Sequence, residues 1–311
     1  MLRNENRIIG LILTSITFTL TTFAMIISLT VLVILIYQWY RNRIKKEDKI
    51  TIYLCIHIYL SLLILAAIIL SMNIRTLLGD LTGQSFDSLW CIFSGYLALN
   101  HISTVYMAFV NQALYRLVRI IYPRYQYFQS LKFYTFLFII EYLCGFGIHC
   151  VIIAWNGVIY LTNDHFCYAS FTNLLAVVWA AFFAYLFPCS CPMIIYIRIT
   201  RFLRRQANTV TLVTRQRQDR DFLIVRRISI ILGLLLILGI PAMIFILRFA
   251  ITGDYYPLTL RVSWLPVAIS VAGLSVASAY CIPQLKSTIR KVFQHRIAFI
   301  SGVVPLDRTE M

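Results

Sequence analysis

The side chains that could catalyse a reaction are few in this chain and widely spaced. A zinc-dependent protease helix needs the pattern His-Glu-x-x-His, but the five histidines lie far apart, at positions 57, 101, 149, 165 and 295. Neither a Gly-x-Ser-x-Gly sequence nor a glycine-rich phosphate-binding loop is present. We therefore expect no enzymatic activity, and no cofactor or metal ion.

The eight cysteines are the remaining reactive side chains. Cys91 and Cys167 lie at the ends of long apolar stretches, so the compartment that they face decides whether they can be joined. The other six lie inside such stretches, where a free buried thiol is the usual state: Cys55, Cys144, Cys150, Cys189, Cys191 and Cys281.

Seven apolar stretches run along the chain, each long enough for a helix to cross about 30 Å of hydrocarbon. None has the alternating polarity of a membrane β-barrel strand. Hydrophobic residues make up 60% of the chain and charged residues 13%, and the mean hydropathy is +0.80. We predict an all-α membrane protein, a seven-transmembrane helix bundle that forms one domain over residues 1–311. The predicted spans are Ile8–Trp39, Ile50–Met72, Leu89–Tyr122, Phe133–Trp155, Thr172–Thr200, Phe222–Ile251 and Leu260–Ile282.

Basic residues are concentrated in the loops on one side of these spans. Of the 28 Lys and Arg residues, 23 lie in four segments, Arg41–Lys49, Arg116–Lys132, Arg198–Arg227 and Lys286–Arg308. Positively charged short loops stay in the cytoplasm, so we predict an extracellular N-terminus and a cytoplasmic C-terminus. Topology and anionic membrane lipids then account for the net charge of +16, and nucleic acid is not an expected partner.

Under this topology Cys91 and Cys167 are the two extracellular cysteines. Cys91 begins the third span, and Cys167 lies in the loop between the fourth and fifth. An oxidising compartment permits a disulfide between them, which would hold that loop over the mouth of the bundle.

The third span has an arginine near its cytoplasmic end, Arg116, which follows Cys91 by 25 residues and precedes Pro123 by seven. An arginine at this depth needs an acceptor or water. The spacing of the cysteine, the arginine and the proline resembles that of the rhodopsin-like (class A) G-protein-coupled receptors, and the resemblance covers all seven spans. In that family the arginine meets the G protein, although Tyr115 and Leu117 differ from the family's flanking residues.

Later spans carry further matches to this family. Pro188 and Tyr196 look like the fifth-helix proline and its lower tyrosine, Pro241 looks like the sixth-helix kink proline, and Tyr280 looks like the seventh-helix tyrosine. Because proline bends a helix, Pro241 would be the pivot of an outward swing. Residues 283–293 are typical of a short amphipathic eighth helix, followed by a cytoplasmic tail over 294–311.

Asp221 lies where the family can hold an acidic partner for the third-helix arginine. The resemblance therefore implies an ion pair between Arg116 and Asp221 that stabilises one packing of the helices. The alternative is that Asp221 is solvated beside Arg220.

Several residues typical of the family are missing. The second span has no Asp, so we expect no sodium site, and Gly239 stands where a tryptophan is usual. Ala98 occupies the position at which amine receptors have an Asp, and the seventh span has no Lys. We therefore expect neither an amine nor retinal as the ligand.

The candidate ligand pocket comprises Tyr96, Asn100, His101, Asp164, His165 and Phe166. Asn100 and His101 have an alternative role as hydrogen-bonding groups between helices. Glu141 and His149 in the fourth span are candidates for a polar pair that faces the bundle, because a carboxylate at that depth is costly to expose.

The resemblance implies a plasma-membrane receptor that binds an extracellular ligand, a peptide or a chemosensory compound, and activates a heterotrimeric G protein. A non-signalling seven-helix protein and a transporter or channel are the alternatives. Transporters have paired helix breaks in two halves, whereas Pro188 and Pro192 interrupt one span without a counterpart.

Overall fold

The computed structural model describes residues 2–41, 49–206, 233, 236, 239–253 and 258–281. Most of them are helical. A 3-10 turn, Gln126–Gln129, precedes the fourth helix, and a π-helical segment, Ala181–Leu186, joins α5 to α6 in one continuous helix. The helices are α1 (Leu2–Tyr40), α2 (Lys49–Thr82), α3 (Leu89–Ile121), α4 (Leu131–Ala154), α5 (Leu174–Ala180), α6 (Phe187–Gln206), α7 (Gly239–Thr252) and α8 (Thr259–Cys281).

Five of these helices are long and apolar enough to cross a membrane: α1, α2, α4, the continuous α5–α6 helix and α8. The described part of the chain is thus that of a helical membrane protein. The described part of α7 is apolar and shorter. α3 has 33 residues but is more polar, and its polar side chains are buried against other helices. They include Asn100, His101, Asn111 and Gln112.

The predicted limits of the third, fourth and seventh spans agree with α3, α4 and α8 to within two residues. At three other limits the helix runs beyond the predicted span, because hydropathy predicts only the apolar part of a helix. α1 begins at Leu2, before the predicted Ile8, and the α5–α6 helix ends at Gln206, after the predicted Thr200.

The third difference, at the end of α2, matters most for the site. α2 continues past the predicted Met72 to Thr82, because residues 73–82 contain no proline. It stops at Gly83, which has a φ of 73° and donates its N–H to the Gly79 carbonyl at 2.8 Å. This left-handed glycine is a common helix end. The extra turns carry Asp80 to the end of the bundle.

Part of the predicted sixth span is described, at residues 233, 236 and 239–251. Asp221, the predicted eighth helix over 283–293 and the tail over 294–311 lie outside the described residues.

A short antiparallel hairpin joins α4 to α5. Its strands are β1 (Val158–Leu161) and β2 (Phe166–Ala169), with Val158 opposite Ala169 and Leu161 opposite Phe166. The predicted disulfide between Cys91 and Cys167 is confirmed, with 5.3 Å between the two Cα atoms. It ties β2 to the first turn of α3, so the hairpin lies across one end of the bundle, called here the hairpin end.

α3 lies at the centre of the bundle, against α2, α4, α6 and β2. α1 packs beside α2 and α8. Two buried hydrogen bonds join these three helices: the hydroxyls of Ser28 and Ser275 lie 3.0 Å apart, and the Tyr59 hydroxyl donates to the Ser275 carbonyl at 3.0 Å. Apolar side chains from all these helices and from the hairpin form one continuous core.

Candidate functional site

A buried arginine at the start of α8 joins three elements at the hairpin end. The Arg261 guanidinium donates to both carboxylate oxygens of Asp80 in α2, with Nη1–Oδ2 at 2.6 Å and Nη2–Oδ1 at 3.0 Å. Its Nε donates to Asp164 Oδ1 at 3.0 Å, and Nη2 also donates to the Asn163 carbonyl at 2.7 Å. Such a two-point contact matches the planar fork of a guanidinium. Asp80, Asp164, His165 and Arg261 are called here the ionic cluster.

Nearly all of the charge in this cluster is hidden from solvent. The exposed fraction of the side chain is 6% for Arg261, 8% for Asp80 and 0% for Asp164. Burial raises the pKa of the Asp164 carboxyl to about 6, although the adjacent Arg261 opposes the shift. Asp164 Oδ2 has no hydrogen-bond partner in the part of the chain that the structure describes. Two carboxylates thus share one guanidinium.

The hairpin loop packs closely against α2 beside the ionic cluster. The Thr76 hydroxyl donates to the Asp164 carbonyl at 2.8 Å, which fastens the hairpin loop to α2. His165 has a φ of 57°, and its imidazole lies over Gly79, where any Cβ would overlap the ring. The same ring is 3.3 Å from the Tyr160 hydroxyl through Nδ1 and 3.8 Å from Asp80 Oδ1 through Nε2. A glycine in α2 is therefore required beside the histidine.

Beneath the hairpin the helices enclose a cavity of about 160 Å³. Its walls come from α3, α5, the π-helical segment, α7, α8 and β2, together with one leucine of α2. Among the described residues, none with a charged side chain lines it. Trp264 of α8 lines this cavity and also a smaller one, of about 20 Å³, that Arg261 lines. The indole thus stands between the ionic cluster and the large cavity.

Aromatic rings form much of the cavity wall. Tyr168 of β2 packs against Trp264, with 5.0 Å between the ring centroids, and Tyr106 of α3 packs against Tyr185, with 5.7 Å between theirs. Neither the Tyr106 hydroxyl nor the Tyr168 hydroxyl has a hydrogen bond to another described residue. Burial raises the pKa of Tyr168, so this phenol is neutral at physiological pH.

The remaining hydroxyl groups of the cavity wall donate to backbone carbonyls. Ser263 donates to the Thr259 carbonyl and Ser270 to the Pro266 carbonyl, each at 2.8 Å. Such bonds within one helix leave the hydroxyl oxygens as acceptors only.

The structure places the six predicted pocket residues around this cavity, outside its wall. Three of them face α4 from α3: the Tyr96 hydroxyl donates to the Phe146 carbonyl at 2.7 Å, and Asn100 lies against Gly145. His101 Nδ1 lies 2.9 Å from the Leu97 carbonyl within α3 itself. Contact of these three with a ligand remains a prediction.

The other three predicted pocket residues lie at the hairpin end. Asp164 and His165 belong to the ionic cluster, and Phe166 lines the smaller cavity beside Trp264. The α3 residues that do line the large cavity include Ile102 and Tyr106. Asn100 and His101 were predicted to line the pocket because they are polar. Ile102 lies on another face of α3, because successive residues of a helix are rotated by about 100° about its axis.

The predicted switch residues lie toward the other end of the bundle. Arg116 is half-buried in α3, and its Nε has no hydrogen-bond partner among the described residues. Tyr196 of α6 is 2% exposed. Tyr280 lies in the last turn of α8, and its side chain is outside what the structure describes. Arg198 of α6 donates to the Tyr122 hydroxyl at 2.7 Å and so connects α6 to the end of α3.

The two prolines singled out in the sequence both lie in helices. Pro188 lies two residues after the π-helical segment, and Pro241 lies in α7. Proline lacks an N–H, so carbonyls one turn earlier lose their donor. The Ser103 hydroxyl, at 3.4 Å, lies near the Phe183 carbonyl before Pro188.

A tyrosine of the π-helical segment reaches the backbone just before Pro241. The Tyr185 hydroxyl donates to the Leu236 carbonyl at 2.6 Å. Its ring occupies the space beside Gly239, where any Cβ would overlap the phenol. An aromatic ring from the fifth predicted span thus fills the space beside Gly239. Sequence reasoning singled out Gly239 but did not reveal this contact.

Glu141 and His149 of α4 are both buried, at 7% and 1% exposed. Asn111 of α3 donates to Glu141 Oε2 at 2.7 Å, while His149 Nδ1 lies 2.8 Å from the Gly145 carbonyl. The predicted inward orientation is present, but each group has its own partner, so they do not form a pair with one another.

Sequence reasoning missed Asp80 and Arg261 altogether. A signal was available: Arg261 is one of five basic residues outside the four basic segments, and it begins a predicted span. A charge at that position needs a partner. Asp80 and Asp164 are among the acidic residues on the same predicted side.

Within the described chain, no group of three or more His, Cys, Asp or Glu side chains is arranged to hold a metal ion. No protein-family model matches this chain, and no curated protein sequence matches it. The function must therefore be inferred from the disulfide, the cavity and the ionic cluster.

Proposed function

We propose that this chain is a divergent rhodopsin-like receptor of the plasma membrane, which binds an extracellular ligand between its helices and activates a heterotrimeric G protein. The observation that carries the proposal is the cavity among α3, α5, α7 and α8, roofed by a hairpin that the Cys91–Cys167 disulfide ties to α3. A concave, apolar site is the usual form of a small-molecule pocket.

Seven spans follow from the proposal if α3 and the sixth predicted span cross the membrane beside the five long apolar helices. α3 is long enough, and its polar residues are sheltered by its neighbours. The hairpin end is then extracellular, since a disulfide persists in an oxidising compartment. The opposite end carries the described residues of the basic segments, among them Arg124 and Arg201, which favours the cytoplasm. The amphipathic eighth helix over 283–293 belongs to the same proposal.

The mechanism proposed is a shift between two packings of the helices. A ligand that contacts α7 and α8 more favourably in one packing shifts the population toward it. The sixth span would swing at Pro241, while Arg116 is released from Asp221 and becomes available to the G protein. Tyr196 and Tyr280 are the proposed partners of Arg116 in the active packing. Half-burial of Arg116, with its Nε unpaired among the described residues, is compatible with an exchange of partners.

The test is G-protein activation in cells that express the chain, screened with peptide and small-molecule libraries. Once a ligand is found, Arg116→Ala should abolish the response at equal surface expression. Arg124→Ala is the matched control, because Arg124 is an exposed arginine in the loop that follows α3. A response that survives Arg116→Ala would contradict the coupling role. Flux of the compound across the membrane without G-protein activation would favour a transporter.

A further inference from the structure

We propose that the large cavity binds an uncharged, mainly apolar molecule of one or two rings with one hydroxyl or carbonyl group. A peptide terminus, an amine or a carboxylate would be excluded. This inference rests on the proposed receptor function, and it narrows the ligand from a peptide or chemosensory compound to one chemical class. Charge, hydrogen-bonding capacity and volume support it separately.

The described wall of the cavity has no side chain that would pair with a charged ligand. Its described lining has no Asp, Glu, Lys, Arg or His. The nearest cation in the ionic cluster, Arg261, lies behind Trp264 and already contacts both Asp80 and Asp164. An ammonium or carboxylate in the cavity would therefore lose its hydration without gaining an ion pair from the described wall, which weakens its binding.

The hydrogen-bonding groups of the cavity suit one polar group on the ligand. Tyr106 and Tyr168 line the cavity, and neither hydroxyl has a hydrogen bond to another described residue. Each can donate to a ligand oxygen or accept from a ligand hydroxyl. The hydroxyls of Ser263 and Ser270 already donate to backbone carbonyls, so they add acceptors and no donors.

The volume and the walls limit the size of the ligand. An apolar cavity of about 150 Å³ in another protein admits benzene, so 160 Å³ is suited to a molecule of one or two rings. Trp264, Tyr168 and Phe171 supply aromatic faces for such rings. A peptide of several residues would require the hairpin to move, and both the disulfide and Arg261 oppose that movement.

Two photoreactive probes of nearly identical shape test this inference without a signalling assay. One is a trifluoromethyl-diazirinyl benzyl alcohol, and the other is the matching benzoic acid, which is an anion at neutral pH. The full chain in lipid nanodiscs is irradiated with each, and labelled peptides are identified by mass spectrometry. We expect the alcohol to label peptides containing Tyr106, Met243 or Trp264 at least about tenfold more than the acid does, because the anion is unpaired there. Excess benzyl alcohol should suppress that labelling, since binding in a cavity is saturable.

Variants that fill the cavity separate this labelling from nonspecific insertion through the lipid. Ala184→Phe places a ring in the cavity, and Ala242→Phe does so from a less buried position on α7 if the first variant folds poorly. Ala154→Phe is the control, because Ala154 is exposed at the end of α4 and is not part of the cavity wall. Cavity labelling should be lost in the filled variants and kept in the control.

Equal labelling of the cavity peptides by the acid, or labelling by the alcohol that neither benzyl alcohol nor a filled cavity reduces, would overturn the inference. So would a lack of labelling by either probe. The proposed function fails independently: saturable labelling by the alcohol in a chain that never activates a G protein would leave the binding site intact and remove the receptor role. Activation of a G protein by a charged ligand bound in this cavity would overturn the inferred ligand class and leave the receptor role intact.

Discussion

Arg261 and Asp80 are 181 positions apart in the sequence and form a buried, two-point ion pair. The pair joins the end of α2 to the start of α8, and Asp164 of the hairpin loop contacts the same guanidinium. The roof of the cavity is thus held at two places, by the disulfide at α3 and by this cluster at α8.

Removal of the guanidinium should destabilise the hairpin end strongly. Arg261→Ala leaves two buried carboxylates without a cation, so we expect the free energy of unfolding to fall by about 3 to 5 kcal/mol. Thermal unfolding of the protein in nanodiscs measures the change. Arg75→Ala is a control at the same end of α2. The described hydrogen bond of the Arg75 side chain is to Ser94, at 3.1 Å, so this substitution should cost about 1 kcal/mol. Equal losses in the two variants would show that the cluster has no special role.

The close contact between α3 and the hairpin requires a glycine. A Cβ at Gly95 would overlap the Cys167 carbonyl, which is backbone and cannot rotate away. Gly95→Ala should therefore lower the unfolding temperature. Gly147→Ala is the matched control, since a Cβ at Gly147 in α4 meets nothing within 4 Å and alanine favours a helix by up to about 1 kcal/mol. Should both variants be equally stable, the hairpin would not be packed against α3 as described.

Tyr185 and Gly239 should behave as a coupled pair. Tyr185→Phe removes the donor to the Leu236 carbonyl near Pro241 and should cost about 1 kcal/mol in the free energy of unfolding. Gly239→Phe should cost more, because the new ring overlaps Tyr185. Addition of Tyr185→Ala to Gly239→Phe should restore part of the loss, since it vacates the space. Additive effects in this double-mutant cycle would show that the two positions do not share that space.

Stability should depend on pH through Asp164. Its pKa is about 6 in the folded protein, against an ordinary value of 3.8, so the folded state holds this proton more tightly than the unfolded state. The contribution of this group to stability is therefore fully present below about pH 4 and is lost as pH rises through 6. Unfolding temperatures between pH 4 and 7.5 measure it.

Asp164→Asn should remove this part of the pH dependence, because the amide keeps the shape of the carboxyl without titrating. Arg261, Asp80 and His165 are the charged or titratable groups around Asp164, so His165→Gln is measured in parallel to account for the imidazole. An unchanged pH profile in Asp164→Asn would assign the effect to another group.

The candidate site was predictable in part. The two bridging cysteines could be chosen from eight because only they lie at the start of a span or in a loop on the less basic side. The wall of the cavity could not be chosen in the same way. Asn100 and His101 were favoured by their polarity, yet Ile102 and Tyr106 line the cavity, since the rotation of α3 about its axis depends on which neighbours pack against it. Hydropathy carries little information on that rotation in a helix that is surrounded by protein.

By itself, the sequence determined where helices of membrane length lie, because hydropathy over about 20 residues is a local property of the chain. The tertiary structure alone decided which charges meet and how far the helices extend. α2 runs ten residues beyond its predicted end, and this extension brings Asp80 to Arg261. Contacts between residues so distant in sequence depend on the relative heights and rotations of several packed helices, and those are set by the bundle as a whole.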